Sequence, residues 1–98
     1  MITNVESAVM MASIAEVASN VASTAAVIDG GAPALTAPAP AGTDEASVLA
    51  TANTSAHSAD LLGTAAAGLL ELARFAGTLG VADASYEVVD AANGTQFL

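Results

Sequence analysis

Apolar positions recur at alternating steps of three and four along most of this chain, the period of an amphipathic helix. Between Asp44 and Leu79 two such stripes run side by side. One is Leu49, Ala52, Ala56, Ala59, Gly63, Ala66, Leu70, Ala73 and Gly77, nearly all small, so a second helix can lie close along it. Its neighbour, Leu62, Ala65, Leu69, Leu72, Ala76 and Leu79, has the same spacing with bulkier side chains, as packing of knobs into holes requires. In the first half, Met10, Ile14, Val17, Val21, Thr24 and Ile28 make a narrower seam. With one other long helical segment available, the chain can cover only one of the two stripes. The expected division puts Ala56, Gly63, Ala66 and Gly77 in helix-helix packing. Leu62, Leu69, Leu72 and Leu79, with Ile14, Val17 and Val21, are then left to meet a partner.

The boundaries follow from capping and breaking residues. Thr3-Asn4-Val5-Glu6 fits a capping box, in which hydroxyl and carboxylate satisfy backbone N–H groups reciprocally. A helix is predicted over about 4–29, ending at Asp29-Gly30-Gly31. Pro33, Pro38 and Pro40, interleaved with glycine and alanine, predict a turn over about 30–43. Thr43 offers an N-cap hydroxyl, and Asp44 and Glu45 place negative charge in the first turn of a second helix over about 44–79. Gly80 stands where a left-handed C-cap is expected, leaving 81–98 as a tail. Gly63, Gly68 and Gly77 inside that helix each cost about 1 kcal/mol relative to alanine. A close-packing face accounts for Gly63 and Gly77, and nothing accounts for Gly68. The fold class is all-α, an antiparallel two-helix hairpin that completes a four-helix bundle with a partner. Its large apolar residues are few, so the chain alone is expected to be weakly folded and to firm up in a complex.

Composition narrows the function. Ten acidic residues face one basic side chain, Arg74, for a net charge of −9, which removes the phosphate contacts that nucleic acid and anionic lipid require. Mean hydropathy is +0.63 and 54% of residues are hydrophobic, yet aromatics are 3% and about a quarter of the chain is alanine, so the hydropathy is mostly methyl groups. Glu6, Glu16, Asp29, Asp60 and Glu71 interrupt every apolar run before the roughly 20 residues that span a bilayer, so no direct membrane insertion is expected. The opening Met1–Glu6 carries no positive side chain, so no cleavable signal peptide is expected either. There is no cysteine to speak for a redox compartment.

Candidate chemistry is sparse. His57 with Asp60 supplies at most two metal ligands, and Ser55, His57 and Ser58 lie near one another without a glycine-framed serine elbow. No catalytic, cofactor or metal site is expected. Arg74 follows Glu71 by three residues and can pair with it. Met10 and Met11 read as adaptable packing residues.

The run Ala41-Gly42-Thr43-Asp44-Glu45-Ala46-Ser47, the alanine-rich helix with Ser55-Ala56-His57, and the ending Ala84-Ser85-Tyr86-Glu87-Val88-Val89-Asp90-Ala91-Ala92-Asn93 resemble the PE domain of mycobacterial type VII secretion substrates. The resemblance covers nearly the whole chain and is most specific in its second half. The family is named for a Pro-Glu pair, and here the equivalent reads Val5-Glu6. The resemblance implies a helical hairpin that pairs with a PPE protein in an elongated four-helix bundle. It also implies Tyr86 and Asp90 as a Tyr-x-x-x-Asp export signal, an EspG-type chaperone that grips the PPE partner, and export by the type VII machinery after cytoplasmic assembly. In a helix Tyr86 and Asp90 share one face a turn apart, where a receptor can read a ring and a carboxylate together. Two other readings stand beside this one: a homodimeric helical-bundle adaptor, and an effector acting on membranes or receptors after release.

Overall fold

The structure, a computed structural model, describes residues 6–97. The chain forms two helices and a short terminal turn: α1 (Ser7–Thr36), α2 (Glu45–Gly94) and a 3-10 turn over Thr95–Phe97. Among the described residues there is no strand. The proposed capping box and the Val5 half of the Val5-Glu6 pair fall on residues outside those described. At the start of α1, the Glu6 carbonyl accepts the amides of Val9 at 3.0 Å and Met10 at 3.1 Å.

Both helices outrun the boundaries read from sequence. α1 passes through Gly30, Gly31 and Pro33 to Thr36. Proline deletes only its own helical hydrogen bond when it stands near a helix end, and beyond it the ladder extends to Ala37, whose N–H donates to the Pro33 carbonyl at 3.1 Å. α2 passes through Gly80 to Gly94, so the expected tail is mostly helix and Gly80 is no C-cap. Among the described residues no glycine takes positive φ, so Gly30, Gly31 and Gly80 all serve as ordinary helical residues. No proline follows Gly80 to stop the helix, and the succeeding alanine, glutamate and tyrosine tolerate it.

The cap of α2 also differs from expectation: Asp44, not Thr43, holds the helix start. Its Oδ2 accepts the Ser47 amide at 3.0 Å and its Oδ1 accepts the Ser47 hydroxyl at 2.7 Å. These two bonds, the hydroxyl's first, hold the Asp44 carboxyl below its ordinary value of 3.8. The sign follows from the direction: a depressed folded-state value contributes stability that is present above 3.8 and disappears as pH falls through the folded value. In Asp44→Asn the amide oxygen still caps, so the helix should persist while this acid-dependent loss vanishes. Paired melting curves of the two forms between neutral and strongly acid pH measure it, and identical pH dependence in both would refute the assignment.

The helices pack in two units, one holding the chain through Val21 with Glu71 onward, the other Ala22–Leu70. In the first, Ser7 donates to Asp83 and the Ile14 Cδ1 lies 3.9 Å from where a Cβ on Gly80 would be, so α2 runs antiparallel to α1. Half-buried Met10, Ile14, Val17 and Val21 line this seam with buried Ala76, half-buried Leu79 and buried Asp83. In the second unit the half-buried positions include Ala25 and Ile28 on α1, and Thr51, Ser55, Leu62, Ala65 and Leu69 on α2, with Ser58 buried. Ala76 is the one buried hydrophobic residue among those described, and no large side chain is fully buried.

Candidate partner-docking face and C-terminal signal

The two stripes of α2 exchange the roles expected of them. Leu62, Leu69 and Leu79, with Ile14, Val17 and Val21, are half-buried within the hairpin, and Leu72 lies at the edge of the same seam, 47% exposed. All but Leu72 thus take part in packing within the hairpin. Ala56, Gly63, Ala66 and Gly77, expected to pack helix on helix, are exposed, and nothing lies within 4 Å of a Cβ built at Gly63 or Gly77. The cause is area. Burying leucine, isoleucine and valine removes far more apolar surface from water than burying methyl groups, at about 25 cal/mol per Å². A hairpin with one choice of seam therefore takes the bulky one.

The exposed stripe lies one residue past the seam on α2. α1 carries its counterpart at the same step: Ala8, Met11, Ala15, Ala18 and Ala22 follow the seam positions Ser7, Met10, Ile14, Val17 and Val21, and all five are exposed. Antiparallel helices are related by an axis perpendicular to their common plane, so an equal step in the same sense opens on the same side of both. In the first unit that side shows Ala8, Met11, Ala15 and Ala18 beside Ala73, Gly77 and Ala84. In the second it shows Ala22 and Ala26 beside Ala52, Ala56, Ala59, Gly63, Ala66 and Leu70, with Asp29 near the end of α1.

The opposite side, one residue before the seam, is mixed. It carries Ser13, Glu16 and Asn20 with Glu71, Phe75 and Thr78 in the first unit, and Thr24 and Val27 with Thr54, His57, Leu61 and Thr64 in the second. Each unit thus has one continuous face of small apolar residues and one face interrupted by hydroxyls and charges. Gly68 lies on the mixed side and has no packing reason there. The α1 half of the small-residue face went unread in the sequence, although Ala8, Met11, Ala15, Ala18 and Ala22 have the same three-four spacing.

Tyr86 and Asp90 both lie on α2, exposed, the tyrosine at 52%. Counting by sevens, Tyr86 continues Leu72 and Leu79 while Asp90 continues Ala76 and Asp83. The pair is thus the hairpin seam carried on past the Ser7–Asp83 contact, where its positions have become exposed. Next to it Val81, Ala84, Ser85, Val88 and Val89 line an open, apolar groove along α2.

The remaining polar residues do not converge. Ser55 and Ser58 turn into the seam while His57 is exposed. Among the described residues no three histidine, cysteine, aspartate or glutamate side chains gather as a metal site would need. Arg74 donates to Glu71 at 2.6 Å, both side chains about two-thirds exposed (65% and 68%), a pairing that contributes little in water.

Length and composition treat the helices differently from the expectation that acids break every apolar run. Stretches of both α1 and α2, each with hydropathy 1.3, are long and apolar enough to cross a membrane by those two measures alone. One or two acids in an alanine-rich helix do not lower the average below that level.

The model of the PE family matches residues 3–93. No curated protein and no solved structure matches the chain.

Proposed function

The chain belongs to the PE family, and on that premise we propose that it is a non-enzymatic secretion substrate that pairs one-to-one with a PPE protein. In this reading the two hairpins form a four-helix bundle, assembled in the cytoplasm and exported by a type VII system to the cell surface or beyond. Tyr86 and Asp90 are its C-terminal signal, and an EspG-type chaperone acts on the PPE partner.

The observation that supports the pairing is the exposed small-residue face. Alanine and glycine at successive three-four positions let a second pair of helices approach to the short end of the usual 8–10 Å spacing, where backbone and methyl contacts accumulate. Partner contact therefore moves from Leu62, Leu69, Leu72 and Leu79 to Ala52, Ala56, Gly63, Ala66, Ala73 and Gly77 with their α1 counterparts. Hydrocarbon would cover this face equally well, yet a bilayer would also have to accept Glu16, Asn20, Glu71 and Asp60, whereas a bundle leaves them in water.

Co-expression with a PPE protein tests the proposal. The pair should be soluble and run with the mass of a 1:1 complex, while the chain alone is a weakly stable hairpin that aggregates on concentration. A stable dimer of the chain by itself would instead favour the homodimeric adaptor, and uptake into neutral vesicles the membrane effector. Either result would overturn the pairing.

A further inference from the structure

Asp83 is 5% exposed, on a seam lined otherwise by Ser7, Met10, Ile14, Val17, Ala76 and Leu79. Its Oδ2 accepts the Ser7 hydroxyl at 2.7 Å, and its Oδ1 is buried without a partner. A buried carboxylate is tolerated where it has donors and is penalised where it meets hydrocarbon. From this we propose that Asp83 and Ser7 lock the register of the hairpin, that is, which residue of α1 stands opposite which residue of α2.

A seam of small and medium apolar residues repeating by sevens specifies register weakly, because a slip of one heptad again sets apolar against apolar. Two slipped forms are open to this sequence. In one, Ser7 stands opposite Ala76 and loses its acceptor. In the other, Ser7 meets Asp90, which offers an equivalent carboxylate, but Asp83 then lies against the aliphatic side chain of Ile14 with no donor at all. Burial of Asp83 beside hydrocarbon disfavours that second form. The lock also sets what remains beyond the start of α1: in the native register Tyr86 and Asp90 are free, and in the Ser7–Asp90 register Asp90 is consumed. This last consequence rests on the reading of Tyr86 and Asp90 as the export signal.

The chain has no cysteine, so engineered pairs report register directly. Ile14→Cys with Gly80→Cys captures the native register, since the Ile14 side chain reaches Gly80. Ile14→Cys with Glu87→Cys, and Ile14→Cys with Ala73→Cys, capture the two slips. In the otherwise native chain, oxidation should close the 14–80 pair and leave the other two open. Ser7→Ala and Asp83→Ala should each raise slipped cross-links by about tenfold relative to the native one. Asp83→Asn, whose amide oxygen still accepts from Ser7, should restore the native pattern. Exclusive 14–80 closure in a helical Ser7→Ala chain would overturn the lock, and so would slipping in Asp83→Asn equal to that in Asp83→Ala. Export separates the two ideas. Tyr86→Ala should stop secretion without moving the cross-links, whereas slipped cross-links in Asp83→Ala accompanied by normal secretion would leave the lock standing and count against the signal.

Discussion

Replacing Gly63 and Gly77 together by leucine should destroy the complex with a PPE partner while making the chain itself more helical. The opposite signs come from one geometry. Within the hairpin nothing lies within 4 Å of a Cβ at either glycine, so a side chain there meets only solvent. Each replacement also removes the roughly 0.8–1.0 kcal/mol by which glycine disfavours a helix interior. On a face where another helix approaches closely, the same side chains are overpacked, at about 1–3 kcal/mol each. The positions are fourteen residues apart with no shared neighbour, so the losses should add and affinity should fall by about a hundredfold or more. Gly68→Leu is the control: it lies on the mixed side, so it should raise helicity and leave binding intact. Circular dichroism of the chain and calorimetry of the pair read the two halves. A double variant that binds its partner normally would show that the small-residue face is not the interface.

Tyr86→Ala and Asp90→Ala should each abolish export while the partner complex forms as before. Both side chains are exposed on a continuous helix, so truncating them removes no buried contact and changes stability little. They sit one helical turn apart on the line of the seam, so a single receptor surface can engage ring and carboxylate together, and losing either breaks a joint recognition. Secretion measured in culture filtrate, with intracellular complex measured in the same cells, separates the effects. Secretion of both variants at the native level would remove the pair from the export pathway.

Much of this architecture was legible in the three-four periodicity, and the misreadings have identifiable causes. The two helices, the proline-containing turn and both stripes follow from Leu49–Leu79 and Met10–Ile28. The assignment of the stripes failed because small residues permit close approach without driving it; Leu62, Leu69 and Leu79 bury more area, and the hairpin closes on them. The ends of the helices were misplaced because Asp29-Gly30-Gly31 reads as a stop and Gly80 as a left-handed cap. Glycine can serve as a cap but does not impose one, and the residues after Gly80 supply no competing turn. Asp83 was invisible as a seam residue because the helix was expected to stop before it. Once α2 continues, its place in the heptad with Ala76 and Asp90 is readable. The chemistry of the signal, a ring and an acid four apart, was legible, and its alignment with the seam was not, for the same reason.

Thiol footprinting tests the central claim most directly, because the chain carries no cysteine of its own. Ala66→Cys stands on the small-residue side and Thr64→Cys on the mixed side, both exposed in the free hairpin. In the purified 1:1 complex with a PPE protein, maleimide should react with Thr64→Cys as it does in the free chain and leave Ala66→Cys unlabelled. Protection of Thr64→Cys with free labelling of Ala66→Cys would place the partner on the opposite side and contradict the account.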